Sequence, residues 1–516
     1  MYRNKKISTL GVAFLATTLL AACGNSNGQS EDSKTSKEDD KTMTIMSPFL
    51  EATAPTGDNE LQDALEEATG YKMKVNWVPN TNYADKMNIT LASDDIPKIL
   101  VASKTGSFVK SAENDAFWDL TDYLKDYPNL SQANPDVLQN SSVNGKVYGV
   151  YRSRDIMRTA VFVRKDWLDE LNLEMPETTQ DLYDLAKAFT ENDPDGNGKD
   201  DTTGVVIPSW PGGINSSSPY DAIAVWFGAG NAWKEIDGKL EPSFMQPEYL
   251  ESIQFVKDMV EKGYINSDYA TLSADNWDDP ILNGKGGIVI DTYSRAASIN
   301  SKYAQSHPDE EGPFVEFTGN LKNADGQLNA MPTDGYSSFL AIPKQSVKTE
   351  EELKDVLDFI DKTNDKEAQI LLGNGIEGKN FEVVDDKAQA IKSDEAEQVA
   401  NLQRCYSQLA TNVTTDLQYY LSKQDTPEKE AEYQRRLDLM ASDEESAVFN
   451  PAAAYVADTY VTKGVQLDQI IGDARIQYIA GQIDEKGWQV AIEQWQKQGG
   501  NDIMDEMNTL HAEATK

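Results

Sequence analysis

The 516-residue chain has only two cysteines and two histidines, and its 86 acidic side chains outnumber 47 lysines and arginines for a formal net charge of −39. Each shortage excludes something. If Cys23 serves the role argued below, Cys405 is alone and no internal disulfide can form, so the fold must be held by core burial. His307 and His511 lie far apart in polar surroundings, which leaves Ser-His or zinc chemistry almost nothing to work with. The deficit of positive charge excludes nucleic acid and anionic membrane as partners, because both would repel the chain. Solubility outside a cell is the simplest use for such acidity. Beyond the first 22 residues no apolar run is long enough to span a bilayer.

What is present is a large globular body with an address at its front. Hydrophobic content of 39% and aromatic content of 9% suit a packed core. The length exceeds what one ordinary core holds, so at least two lobes are expected. Arg3, Lys5 and Lys6 precede the apolar stretch ISTLGVAFLATTLLAA, too short for a comfortable span and of the form of an export signal. Leu20, Ala21 and Ala22 then lead into Cys23, the pattern of a bacterial lipobox, in which the cysteine is lipidated before the signal is cut. GNSNGQSEDSKTSKEDDK follows, a solvated tether. The body is therefore expected outside the cell, bound to the membrane only through a lipid on Cys23.

The body opens with alternating elements. KTMTIM, KMKVNWV and KILVAS read as strands. Between the first two, Leu61, Ala64, Leu65 and Ala68 share one helical face that ends at Gly70. YADKMNITLASDD supplies the next helix, and repeated βαβ units imply a largely parallel sheet covered by helices. NGKVYGVYRSR reads as a hairpin turning at Asn144-Gly145, and a second hairpin is expected at Asp237-Gly238. PETTQDLYDLAKAF is a helix capped by Thr178 with Asp181, burying Leu182, Leu185, Ala186 and Phe189. The last third is mostly helical.

The helix runs into ENDPDGNGKDDTTG. With Asp193 as position one, side-chain oxygens fall at one, three, five and nine (Asp193, Asp195, Asn197, Asp201), the Lys199 carbonyl at seven, and Gly198 at the sharp turn. This is the spacing of an EF-hand loop, and hard oxygen donors favour calcium. Position twelve is Gly204, so the bidentate glutamate is missing, and a strand rather than a second helix follows. A metal-free Asp/Gly turn is the alternative.

Taken together, the lipobox, NGKVYGV, FVRKDWLDELNLEMPETTQDLYDLAKAF, the Asp-Pro-Asp-Gly-Asn-Gly loop, GNGIEGKNF and WQKQGGNDIMDEMN resemble the family 1 extracellular solute-binding proteins. The likeness is to the large lipid-anchored oligosaccharide-binding proteins of ATP-driven importers, such as alginate- and fructooligosaccharide-binding proteins, and it runs over nearly the whole mature chain. It implies an α/β, two-lobed periplasmic-binding-protein-like (type II) fold, each lobe a mostly parallel sheet flanked by helices, with extra helices in the C-terminal third. The organisation expected is a signal at 1–22, a tether at 23–42, lobe one at 43–152 plus about 336–400, and lobe two at 153–335 plus about 401–516. The resemblance also implies structural calcium in the loop 193–202, where the family's final acidic ligand is replaced by Thr202, which offers only a hydroxyl or its carbonyl. It implies an oligosaccharide ligand and permease subunits of an ABC importer as partners. The chain is expected to be a non-enzymatic monomer on the extracellular face of the cytoplasmic membrane, in a Gram-positive host.

Sugars need aromatic faces for their apolar sides and carboxylates, amides or arginines for their hydroxyls. Candidates should sit in loops after strands. Trp210 in IPSWPGG qualifies, as do Asp291, Tyr293 and Arg295 after GGIVI, and Asp334 and Tyr336 in PTDGYSS. Arg152 and Arg154 lie near the first crossover, and Glu377 is an acid between glycines. Two alternatives remain open on the residues alone: a surface glycoside hydrolase using two carboxylates, and a carbohydrate-binding adhesin or sensor.

Overall fold

The computed structural model describes residues 41–515 apart from 211, 212, 214–216, 311 and 415–417. The signal, Cys23 and the tether up to residue 40 lie outside the described residues.

In chain order the strands are β1 Thr42–Phe49, β2 Lys72–Pro79, β3 Ile99–Ala102, β4 Gly149–Ser153, β5 Thr159–Arg164, β6 Thr203–Val205, β7 Trp233–Ile236, β8 Lys239–Pro242, β9 Gly286–Thr292, β10 Val315–Thr318, β11 Tyr336–Ala341, β12 Phe381–Val384 and β13 Lys387–Ala390. Two larger sheets organise the body. One has the order β2-β1-β3-β11-β4, the other β10-β5-β9-β6. Two small hairpins, β7-β8 and β12-β13, complete the set.

Both large sheets are covered on both faces, as their strand alternation requires. In the first, Ile45, Ile99 and Val101 enter one core with Leu61, Leu65 and Phe359. Their neighbours Met46, Leu100 and Ala102 enter another with Phe108 and Phe117. In the second, Val161, Val163, Ile288 and Ile290 pack with Trp167, Phe189 and Trp226. Ala160, Phe162 and Val289 face Trp277, Tyr293 and Phe317 on the other side. The C-terminal helices Asp458–Ile479, Glu485–Trp495 and Asn501–Ala514 deliver Leu467, Ile471, Trp488, Trp495, Ile503 and Met507 to the second sheet's core.

The α/β expectation holds, but the sheets are mixed rather than mostly parallel. β1 is parallel to β2 and β3, whereas β11 is antiparallel to β3 and β4. In the second sheet only β6-β9 is parallel, and β5 is antiparallel to β9 and β10. The reason is connectivity. The chain leaves the first sheet at β4, enters the second at β5, and returns from β10 to β11, so these strands run against their neighbours instead of following a right-handed βαβ crossover. Beyond residue 413, Leu421 O and Lys423 N still bond Ala388 of β13. Tyr406, Leu409, Ala410 and Val413 still pack with the first sheet's core, so lobe one extends past the break expected near residue 400.

Most local signals acted as read. Thr178 and Asp181 form a reciprocal capping box on the helix Thr179–Glu191. Asp237 and Gly238, with φ of 51° and 76°, turn the β7-β8 hairpin. Asn144 and Gly145 (51° and 81°) also turn tightly, but there only the bridge Val143–Lys146 forms and β4 pairs with β11, so among the described residues the hairpin expected in NGKVYGVYRSR is absent. Trp226 is fully buried, and its indole N–H donates to Asn320 Oδ1 at 2.8 Å.

Candidate functional site

The two inter-sheet crossovers, 154–158 and 319–335, run side by side. Thr333 N donates to Ile156 O at 2.8 Å, Thr333 Oγ1 to Asp155 O at 2.8 Å, and Arg154 N to Gly335 O at 3.0 Å. Beside them opens a cavity of about 600 Å³ with walls from both sheets. Lys104, just after β3, and Tyr336, at the start of β11, contribute from the first sheet. Thr159, Ile290 and Asp291 contribute from β5 and β9, Trp210 follows β6, and Trp233 lies on β7. Tyr460, Gly464 and Asp468 line it from the helix Asp458–Ile479, and Ser218 from the mouth of the helix Pro219–Phe227.

Five of the nine expected ligand residues line this cavity: Arg154, Trp210, Asp291, Asp334 and Tyr336. Trp210 is half-buried and packs edge-on against Trp277, centroids 6.1 Å apart. Its Pro211-Gly212 neighbours lie outside the described residues. The other four residues stand elsewhere. Tyr293 begins the helix Tyr293–Ser306, which breaks the strand alternation after Asp291, and its buried ring meets Phe317 at 5.3 Å on the far face of the sheet. Arg295 forks between Asp291 at 2.5 Å and Asp278 at 2.7 Å, with its guanidinium 4.4 Å above Trp277. It therefore neutralises a cavity carboxylate from behind. Arg152 donates to Ser338 Oγ at 2.9 Å and Ser407 O at 3.1 Å inside the first lobe. Glu377 is exposed, in the turn before β12.

Sequence reasoning missed Lys104, Arg158, Trp233, Tyr460 and Asp468. Their only shared signal is position near strand ends or on the last helices. Lys104 Nζ donates to Ala453 O at 2.7 Å and Asn140 O at 3.2 Å. Burial pushes its pKa down to about 8, partly offset by Asp334. Burial raises the Asp334 carboxyl above its ordinary value, against the pull of Lys104. The Tyr336 phenol is raised for the same reason, with Asp334 adding to it. Burial and then Arg158 lower the Arg154 guanidinium. The cavity thus combines aromatic faces with fixed polar groups, an arrangement that binds amphipathic solutes.

The acidic loop lies outside the cavity lining. Asp193, Gly196 and Gly198 all take positive φ (46°, 64° and 75°), curling the backbone tightly. Asp193 accepts from Gly198 N at 2.9 Å. The Asn197 amide N–H₂ stands between Asp195 Oδ2 at 2.7 Å and Asp201 Oδ1 at 3.1 Å. Asp201 also takes Lys285 at 2.6 Å, which holds its carboxyl below the usual range. Among the described residues no three Asp, Glu, His or Cys side chains converge as a metal cluster. Thr202 is buried, its hydroxyl donating to Phe189 O at 2.8 Å, so it ties the loop to the preceding helix instead of offering its hydroxyl to a cation. Gly204 explains the missing EF-hand glutamate. A Cβ there would lie 2.5 Å from the Ala186 backbone, so this position is where β6 presses on the helix.

Two sheets joined by adjacent crossovers, with a polar-aromatic cleft at the seam, define a two-lobed solute-binding protein. The chain belongs to the bacterial extracellular solute-binding protein family, whose model matches residues 51–370. Lipoprotein LipO of Bacillus subtilis strain 168 is 44% identical over 499 residues, covering 96% of this chain and 97% of that protein. The polygalacturonan/rhamnogalacturonan-binding protein YtcQ of the same organism is 31% identical over 498 residues, with 96% of each chain covered. Among solved structures, the Streptococcus pneumoniae substrate-binding protein FusA in complex with kestose superposes with a TM-score of 0.66 at 19% identity, covering 92% of this chain and 99% of that one. An EF-hand mutant of FusA has also been solved. No helix among the described residues is long and apolar enough to cross a membrane.

Proposed function

We propose that this protein is the receptor of an ABC importer, capturing an oligosaccharide in the cleft beside the two crossovers and presenting it to the permease. The observation that carries the reading is the cleft itself: Trp210 and Tyr336 offer ring faces, with Asp334, Asp468 and Asn231 beside them for hydroxyls. Seated at the crossovers, a ligand contacts both sheets at once, so its binding energy favours the arrangement in which the two lobes meet across it. The solute-binding family and the sugar-binding relatives support this reading. The relatives carry the names of sugar-binding proteins, which favours the receptor over the hydrolase alternative. Cys23, once lipidated, is the membrane anchor, and the monomer is the working unit. Calorimetric titration with a panel of oligosaccharides tests the receptor role. Heat of binding with a 1:1 end point is expected; silence towards every sugar, with tight binding of a peptide or amino acid, sinks it.

The loop 193–202 is read as a structural calcium site. Its donors suit a hard cation: Asp193, Asp195 and Asp201 carboxylates, the Asn197 amide and the Lys199 carbonyl. The Asn197 N–H₂ now bridges two of those carboxylates, as a small positive group would. Calcium would tighten the loop between the helix and β6 and take no part in solute recognition.

A further inference from the structure

Three cations line the cavity of a chain whose net charge is −39: Lys104, Arg154 and Arg158. Their commitments differ. Lys104 is held by two backbone carbonyls and faces Asp334. Of the lining carboxylates, Asp291 is matched by Arg295 at 2.5 Å, and Asp468 accepts from Tyr460 Oη at 2.7 Å. The adjoining Asp155 pairs outward with Arg436 at 3.5 Å. Among the described residues neither Arg154 nor Arg158 forms an ion pair. Among the described residues Arg158 donates to Ser294 Oγ at 3.4 Å. Arg154 and Arg158 repel each other across four residues of one crossover, and Asp155 offsets this only in part, so a further anion placed against both would be favoured. Their backbone is fixed: Arg154 N binds Gly335 O at 3.0 Å, and Arg158 O accepts from Tyr293 N at 3.1 Å.

We infer that Arg154 and Arg158 form the anion-recognition element of this cleft, and that the oligosaccharide it takes is acidic, carrying at least one hexuronate carboxylate. The inference rests on the receptor reading and narrows it. A planar guanidinium pairs a carboxylate through two parallel N–H···O bonds, stronger than its bonds to neutral hydroxyls. Asp334 and Lys104 then remain for hydroxyls, since their charges offset each other, and Trp210 and Tyr336 supply ring faces.

The test is calorimetric titration of the mature chain with uronate oligomers of two backbones (galacturonate and mannuronate), their methyl esters, and neutral oligosaccharides of the same length. At least one uronate oligomer is expected to bind about 10-fold or more tighter than its ester, with affinity falling as salt rises. Arg154→Gln and Arg158→Gln should each weaken the acid about 10-fold more than any neutral sugar, with Arg158→Lys recovering part of the loss. Thermal unfolding of each variant checks that it folds. Equal affinity for acid and ester, preference for neutral sugars alone, or an acid preference that survives both substitutions overturns the inference and leaves the receptor reading standing. Silence towards every sugar overturns both.

Discussion

The loop 193–202 and the cleft are built on opposite plans. The loop's oxygens lie within nine residues and curl on two glycines, and its exposed side chains bond mainly to one another. The cleft draws Lys104, Arg154, Trp210, Trp233, Asp334 and Tyr460 from six distant stretches, and only the crossovers bring them together. A local site can be changed without touching the fold's long-range contacts; a distributed site inherits its geometry from both sheets. Stability and recognition should therefore respond separately when either is altered.

The largest separation is expected from two substitutions measured side by side. Gly204→Val forces a side chain into the Ala186 backbone and should cost about 1–3 kcal/mol or more, read as a lower Tm with affinity for the sugar retained. Trp210→Ala should do the reverse, weakening binding by about 2 kcal/mol, roughly 30-fold, with little change in Tm. A Gly204 variant that loses affinity while its Tm is unchanged would break the comparison.

Calcium comes next. At 100 times its dissociation constant, a cation bound only by the folded chain adds about 2.7 kcal/mol. Added calcium should raise Tm and chelator lower it, and Asp193→Ala should abolish the response. If Tm ignores calcium, the loop is a metal-free turn.

A smaller effect concerns pH. The folded-state pKa of Lys104 is lowered to about 8 from 10.5, so between those values the unfolded chain binds more protons and this group's contribution to stability rises with pH. Lys104→Met should flatten that segment of the Tm profile relative to the parent. A parallel profile for both proteins between pH 8 and 10 would contradict the assignment. The smallest effect is expected for Lys285→Met, which removes an exposed partner of Asp201 and should leave Tm unresolved from the parent without calcium.

The same contrast explains what was readable in the sequence. The helix Thr179–Glu191, its Thr178-Asp181 cap and the tight turns at Asn144-Gly145 and Asp237-Gly238 were legible because their signals lie within a few residues. The spacing of the loop was legible for that reason too. Its end was not, because the Thr202 hydroxyl bonds the preceding helix and Gly204 packs against it, contacts that no local spacing signals. In the cleft, strand-end logic found Arg154, Trp210, Asp291, Asp334 and Tyr336. It missed Tyr293 because the helix starting there ends the two-residue alternation, turning the ring to the far side of the sheet. Lys104, Arg158 and Tyr460 carry no local mark, since only the crossovers and the last helices place them. Sheet direction was misjudged for a related reason: a strand entered from the other lobe carries no sequence sign of its orientation.

The most direct test of the central claim is a crystal structure of the mature chain with the tightest-binding oligosaccharide from the titration panel. The account predicts sugar rings between the two sheets, against Trp210 and Tyr336, with a carboxylate on Arg154 or Arg158. Sugar bound outside this cleft, or no sugar density at a concentration that saturates the calorimetric site, would contradict it.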